Sequence, residues 1–197
     1  MDTSTALIVF IFFISIMTSL GGKGYTPPPS PPTEIIYKQV AVGEPDPSFI
    51  AGGGDAALSS IKNYIAKYRN DFESTTISES IVKHSKTYDM NPKLVAALIA
   101  RESKFNPRAI SSSGAAGLGQ LIPSTAKGLN IHDPYDIDQN AKGTTRYFKS
   151  LITRFNGKVS SAIAGYLEGP NAVSKQGGFS SHTKSYVEDI LNIYQKI

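Results

Sequence analysis

The stretch Asn91-Pro92-Lys93-Leu94-Val95-Ala96-Ala97-Leu98-Ile99-Ala100-Arg101-Glu102 decides how this chain folds. Its middle, Leu94 to Ala100, is apolar all round, which predicts a helix buried in a core rather than one with a wet face. Asn91 suits an N-cap and Pro92 the first helical position, while Pro107 forbids much continuation. Glu102 therefore falls in the last turn. There the negative end of the helix dipole and a partly apolar setting both disfavour the ionised carboxylate and push its pKa up, as a general acid near neutral pH requires. Position alone leaves a plainer reading open, in which Arg101 and Glu102 are the first solvated residues of a helix leaving the core.

The residues that follow narrow the choice. From Glu102 the chain reads Glu-Ser-Lys-Phe-Asn-Pro-Arg-Ala-Ile-Ser-Ser-Ser-Gly-Ala-Ala-Gly-Leu-Gly-Gln-Leu-Ile-Pro-Ser-Thr-Ala, ending at Ala126. This resembles the signature of the soluble lytic transglycosylase (SLT) domain family, within the lysozyme-like and goose-type lysozyme superfamily, whose members cleave bacterial peptidoglycan glycan strands. The family pattern runs Glu-Ser-x-Phe-x-Pro-x-Ala-x-Ser-x-x-Gly-Ala-x-Gly-Leu-Met-Gln-Leu-x-Pro-x-Thr-Ala, and its Met is Gly119 here. A match this long is far more specific than a short motif. Farther on, Asp138-Gln139-Asn140 leading to Arg146-Tyr147 resembles the family's Gln-Asn segment, and Thr183 to Val187 its closing Thr-x-x-Tyr-Val. The likeness spans roughly residues 77–195.

The resemblance implies a mainly α, lysozyme-like helical domain with Glu102 as its single acid and base. It nominates Ser111 and Gln120 as neutral hydrogen-bonding contacts to sugar, with Ser103 beside the acid and Tyr166 from the family's Ala-Tyr-Asn-Ala-Gly motif. Each has a structural alternative: Ser103 as a helix-end cap, Tyr166 as a core tyrosine. In that motif this chain reads Gly165-Tyr166-Leu167-Glu168-Gly169, so the family Asn is Leu167 and the next Ala is Glu168. Glu168 is either a solvated helix-end residue or a second carboxylate that would permit hydrolysis by water. Gly119 in place of Met is expected to widen the sugar groove. The implied reaction is lytic transglycosylation, with a hydrolytic muramidase and an inactive wall-binding module as alternatives.

Charge and composition agree with a wall substrate. Residues 76–197 carry 15 Lys or Arg against 9 Asp or Glu, whereas residues 1–75 carry 5 against 7. A basic portion suits an anionic polymer such as a cell wall. Nucleic acid is not favoured as a partner, because no helix-turn-helix, zinc-finger or RNA-binding signature accompanies the charge. The absence of Cys excludes disulfides and thiolate metal sites. No cofactor or metal is expected: Asp136-x-Asp138-x-Asn140 begins like a calcium loop but lacks its Gly and Glu, and His84, His132 and His182 have no metal-ligand spacing.

Four segments follow from these patterns. Residues 1–22, uncharged from 3 to 22, read as a signal peptide or a retained membrane anchor. Residues 23–55 are a Pro/Gly-rich linker, in which Pro27-Pro28-Pro29-Ser30-Pro31-Pro32 forms an extended spacer. A helical extension over 56–75, with a helix expected at 56–69, precedes a catalytic domain over 76–197 whose first helix is expected to start at the Thr76-x-x-Glu79 capping box. Further helices are expected after Pro123, over 138–155, 159–167 and 184–197. Localisation at the membrane or outside it, on the wall side, leaves wall turnover, a secretion or conjugation apparatus and phage entry all open.

Overall fold

Asn91 opens the central helix. Its side chain accepts hydrogen bonds from the backbone N–H groups of Lys93 and Leu94, and Pro92 occupies the first turn, where its missing N–H costs nothing. The computed structural model describes residues 54–175 and 178–197. The hydrophobic segment expected at 1–22, and the linker up to residue 53, lie outside them.

In chain order the described helices are α1 (Gly54–Ile65), α2 (Asp71–Thr87), α3 (Pro92–Ser103), α4 (Pro123–Gly128), α5 (Ile137–Arg154), α6 (Val159–Glu168), α7 (Pro170–Lys175) and α8 (Ser181–Lys196). Among the described residues there is no strand, only the antiparallel bridges Ile110 to Ala116 and Ala116 to Leu121. Helix α3 is the core: every residue from Leu94 to Ala100 is buried, and α1, α2, α5 and α8 all pack on it. A helix apolar on all sides needs such neighbours, since each large aliphatic side chain removed from water contributes roughly 1.5–3 kcal/mol.

What stops α3 also exposes its end. Lys104 and Phe105 both take left-handed backbone angles (φ 50° and 59°), unfavourable for residues with a Cβ. Burial of the Phe105 ring between Tyr64 and Tyr68, at centroid distances of 6.2 and 6.0 Å, offsets that strain. Helix α1 thus belongs to the core, with Ile61, Tyr64 and Ile65 buried.

Two boundaries differ from expectation. Helix α1 ends at Ile65 rather than near Arg69, and α2 begins at Asp71, not Thr76. The cap in use is Asn70, whose side chain accepts from Glu73 N at 2.9 Å. Thr76 lies inside the helix, where its hydroxyl bonds back to Phe72 O at 2.9 Å. Helix α7 was not anticipated, and α8 starts three residues early because Ser180 caps it by accepting from Thr183 N. Ile122, in the apolar run before Pro123, is exposed and serves as the residue preceding α4. No helix among the described residues is long and apolar enough to cross a membrane.

Candidate active site

Glu102 occupies the final turn of α3, partly buried, with its carboxylate turned toward α8. There the Tyr186 hydroxyl donates to Glu102 Oε1. Tyr186 is itself buried, one turn after the buried Thr183 on the inner face of α8. Burial raises the Glu102 pKa and outweighs two influences that lower it, the Tyr186 hydrogen bond and the Arg101 charge. Burial and the adjacent Glu102 charge likewise push the Tyr186 and Tyr166 phenols up, so both remain proton donors. Relative to an exposed carboxyl, the arrangement favours the acid form, and it offers the carboxylate a hydrogen-bond donor once the proton has left.

The Gly-rich loop after α3 is held from two sides. Tyr166, at the end of α6, donates its hydroxyl hydrogen to Gly119 O at 2.7 Å, while its ring packs on Tyr147 and Phe148 of α5. The fully buried carboxamide of Asn140 on α5 does the rest: Nδ2 donates to Ala116 O (3.0 Å) and Pro134 O (2.7 Å), and Oδ1 accepts from Gly119 N (2.8 Å). At Gly117, with φ of 75°, an added Cβ would lie 2.0 Å from Pro134 O and 2.3 Å from Asn140 Nδ2. Only glycine lets the loop approach so closely.

Of the residues singled out from the sequence, Glu102 and Tyr166 are brought into electrostatic contact. Gln120 is half-buried on the loop, and its Nε2 donates to Ala109 O and Gly117 O, at 3.2 and 3.0 Å. Two carbonyl acceptors fix that amide's orientation and leave Oε1 as what Gln120 can offer a ligand. The Ser111 hydroxyl bonds Ser113 Oγ and accepts from Ala115 N, closing a turn. Ser103 bonds back to Ile99 O at 3.4 Å, on the helix end. No hydrogen bond joins any of these three to Glu102. Tyr186 is the residue sequence reasoning passed over. It lies in the Thr183 to Val187 match, but helical spacing marks it only as an inward aromatic.

With this geometry in place, the chain's residues 79–188, more than half of its length, match the family model described as the transglycosylase SLT domain. The chain belongs to this family. The SLT chain is 39% identical over 113 residues to a transglycosylase of Enterobacteria phage PRD1, an alignment covering 57% of this chain and 41% of that protein. It is 39% identical over 72 residues to a membrane-bound lytic murein transglycosylase F of Alteromonas mediterranea, covering 36% of this chain and 16% of the relative. It therefore spans less than half the length of these relatives. Its fold is similar to that of part of the 70 kDa soluble lytic transglycosylase of Escherichia coli (TM-score 0.56, 20% identity, 78% of this chain and 29% of that one). An inactive mutant of the Pseudomonas aeruginosa lytic transglycosylase Slt is comparable (TM-score 0.54, 22% identity, 77% and 28%).

Two departures from the SLT pattern take on a physical meaning here. Gly119 does not widen a groove: a Cβ there would lie 1.9 Å from Thr144 Oγ1 and 2.7 Å from its Cγ2, so Thr144 of α5 already fills the space. Glu168, the last residue of α6, accepts a hydrogen bond from the buried Thr183 hydroxyl, one turn before Tyr186 on α8. Glu168 is thus half-buried and hydrogen-bonded at its helix end, and the two carboxylates of this region dock on successive turns of one helix. Beside the loop, a separate cavity of about 440 Å³ is lined by Gly114, Leu121, Pro123, Lys127, Ile131 and His132 among others; Glu102 is not part of its wall.

Proposed function

We propose that this SLT domain is a peptidoglycan lytic transglycosylase, cleaving between N-acetylmuramic acid and N-acetylglucosamine with Glu102 as its single general acid and base. The observation carrying this is the Glu102 carboxyl, raised in pKa by burial and hydrogen-bonded by Tyr186, in a chain of this family. The acid form protonates the departing glycosidic oxygen while positive charge grows at the anomeric carbon. The resulting carboxylate, held by Tyr186, then takes the proton from the muramic sugar's own primary hydroxyl, whose oxygen bonds to that carbon and closes an anhydro ring. One proton leaves Glu102 and one returns, so no water is consumed.

Gln120, through Oε1, and Tyr166, beside the loop it holds, are proposed to border the bound glycan, with Ser111 and Ser103 shaping the walls. The names of the phage and membrane-bound relatives support a wall-facing setting. An anchor or signal over 1–22 and a spacer over 23–55 are proposed from the sequence alone, ahead of a helical domain in whose core α1 also packs. Mass spectrometry of digested sacculi tests the reaction. Anhydro ends are expected; reducing ends would instead mark a muramidase using Glu168, and no release a wall-binding module. Glu102→Gln should abolish release while leaving the helical fold unchanged by circular dichroism, and retained turnover would remove Glu102 from the role.

A further inference from the structure

Beside the acid lies a polar chain that the reaction as written leaves unused. Arg101 Nε donates to Asp189 Oδ2 at 3.0 Å, joining the last turn of α3 to the middle of α8. The same guanidinium lies over the Tyr186 ring, with Cζ 5.1 Å from the centroid. Asp189 follows Tyr186 by three residues, so ion pair and ring occupy one face of α8. The ring's hydroxyl ends on Glu102, the next residue after Arg101. The side chains thus make a closed circuit, Asp189 to Arg101 to Tyr186 to Glu102 and back along α3.

A pair this open, with side chains 38% and 49% exposed, contributes little to stability. Its geometry does something else. A planar guanidinium gripped at Nε keeps a fixed face toward an aromatic ring, which a lysine could not do. Resting on the reading of Glu102 as the reacting acid, we propose that Asp189 and Arg101 are positioning residues: Asp189 anchors Arg101 over Tyr186, and the ring so clamped keeps its hydroxyl on Glu102. Arg101 from its own helix and Tyr186 from α8 act on the Glu102 carboxyl, and Glu102 in turn acts on Tyr166 from α6. Arg101 and the Tyr186 bond both favour the carboxylate, so loosening either raises the pH at which Glu102 gives up its proton.

The test is a direct titration of Glu102 in the full-length chain, by carbon NMR of protein labelled at glutamate carboxyls, with E102Q identifying the resonance. R101Q is expected to move the midpoint to higher pH. D189N should do the same, because an unanchored Arg101 swings into solvent, and R101Q/D189N should add nothing further. Melting temperatures of the single variants should stay within about 4 °C of the parent, as for an exposed pair. An unmoved or lowered midpoint in D189N would overturn the proposal, since a mere countercharge to Arg101 gives the opposite sign. If D189N does not fold, R101K replaces it: charge kept, planar face lost, midpoint still raised, and an unmoved value overturns the clamp. Glycan release is then followed in the same variants, with kcat expected to fall on the order of tenfold and KM to change little. Titrations that shift as expected while release is unaffected would count against Glu102 as the acid and leave the clamp standing.

Discussion

The Tyr186 hydroxyl donates to the Glu102 carboxylate across the α8 to α3 interface, between residues 84 positions apart in the chain. A partly buried carboxyl with a phenol donor is drawn toward both of its states: burial favours the acid, the phenol favours the anion. Single acid/base catalysis asks one group to be each in turn.

Tyr186→Phe removes the donor and keeps the ring. Because the bond lowers the Glu102 pKa, its loss raises that pKa, and the alkaline limb of the activity profile moves to higher pH. The anion formed after proton donation also loses its partner. A hydrogen bond to a charged group is worth about 1.5–3 kcal/mol, so kcat should fall roughly ten- to hundredfold, read from initial rates across the pH range.

Glu102→Gln should stabilise the protein as it inactivates it. The folded-state pKa of Glu102 is raised above its unfolded value, so its contribution to stability is fully present below the unfolded pKa and lost as pH rises through the folded one. Thermal melts of parent and variant should nearly coincide at acidic pH, with the variant increasingly the more stable toward neutral and alkaline pH. A gap that widens on acidification would contradict this sign.

Gly119→Ala places a methyl group within 1.9 Å of Thr144 Oγ1 and 2.8 Å of Thr144 Cβ. Overpacking of this kind costs about 1–3 kcal/mol. Removing the obstacle should recover part of it: G119A/T144G is expected to be less destabilised than the sum of its single variants, although the glycine weakens α5. Denaturant unfolding of all four proteins closes the cycle, and simple additivity would show that the two positions do not compete for space.

Asn140→Ala strips the buried staple from the loop. It takes from Pro134 O and Gly119 N the side-chain partner they have now, while Ala116 O keeps its bond from Leu121 N. Buried polar groups left unsatisfied cost about 1–3 kcal/mol each, partly relieved by water, so a net loss of about 3 kcal/mol and a melting temperature lowered by roughly 6–12 °C are expected. Activity should drop further than stability alone explains, since the loop carrying Gln120 is what loosens.

Much of this was legible before any coordinates. The Asn91 cap and first-turn Pro92 follow from local capping chemistry, the buried run from Leu94 to Ala100 from its unbroken apolarity, and the buried α5 positions Ala141, Thr144, Phe148, Leu151 and Ile152 from apolar spacing of three to four residues. The start of α2 was misplaced for a local reason: Asn70-x-x-Glu73 and Thr76-x-x-Glu79 have the same spacing, and choosing between them depends on Ser74, Thr75 and Thr76 satisfying their hydroxyls inside the helix.

By itself, the amino-acid order determined that one helix is apolar all round and that an ionisable carboxylate ends it, since capping and hydrophobic patterning act between neighbours along the chain. Only the tertiary structure decided that Tyr186 meets Glu102, that Thr144 fills the space beside Gly119, that Glu168 docks on Thr183, and that the Gln120 amide group serves its own loop. Those contacts depend on how helices distant in the chain lie against one another. The spacing of residues along any single helix does not encode that.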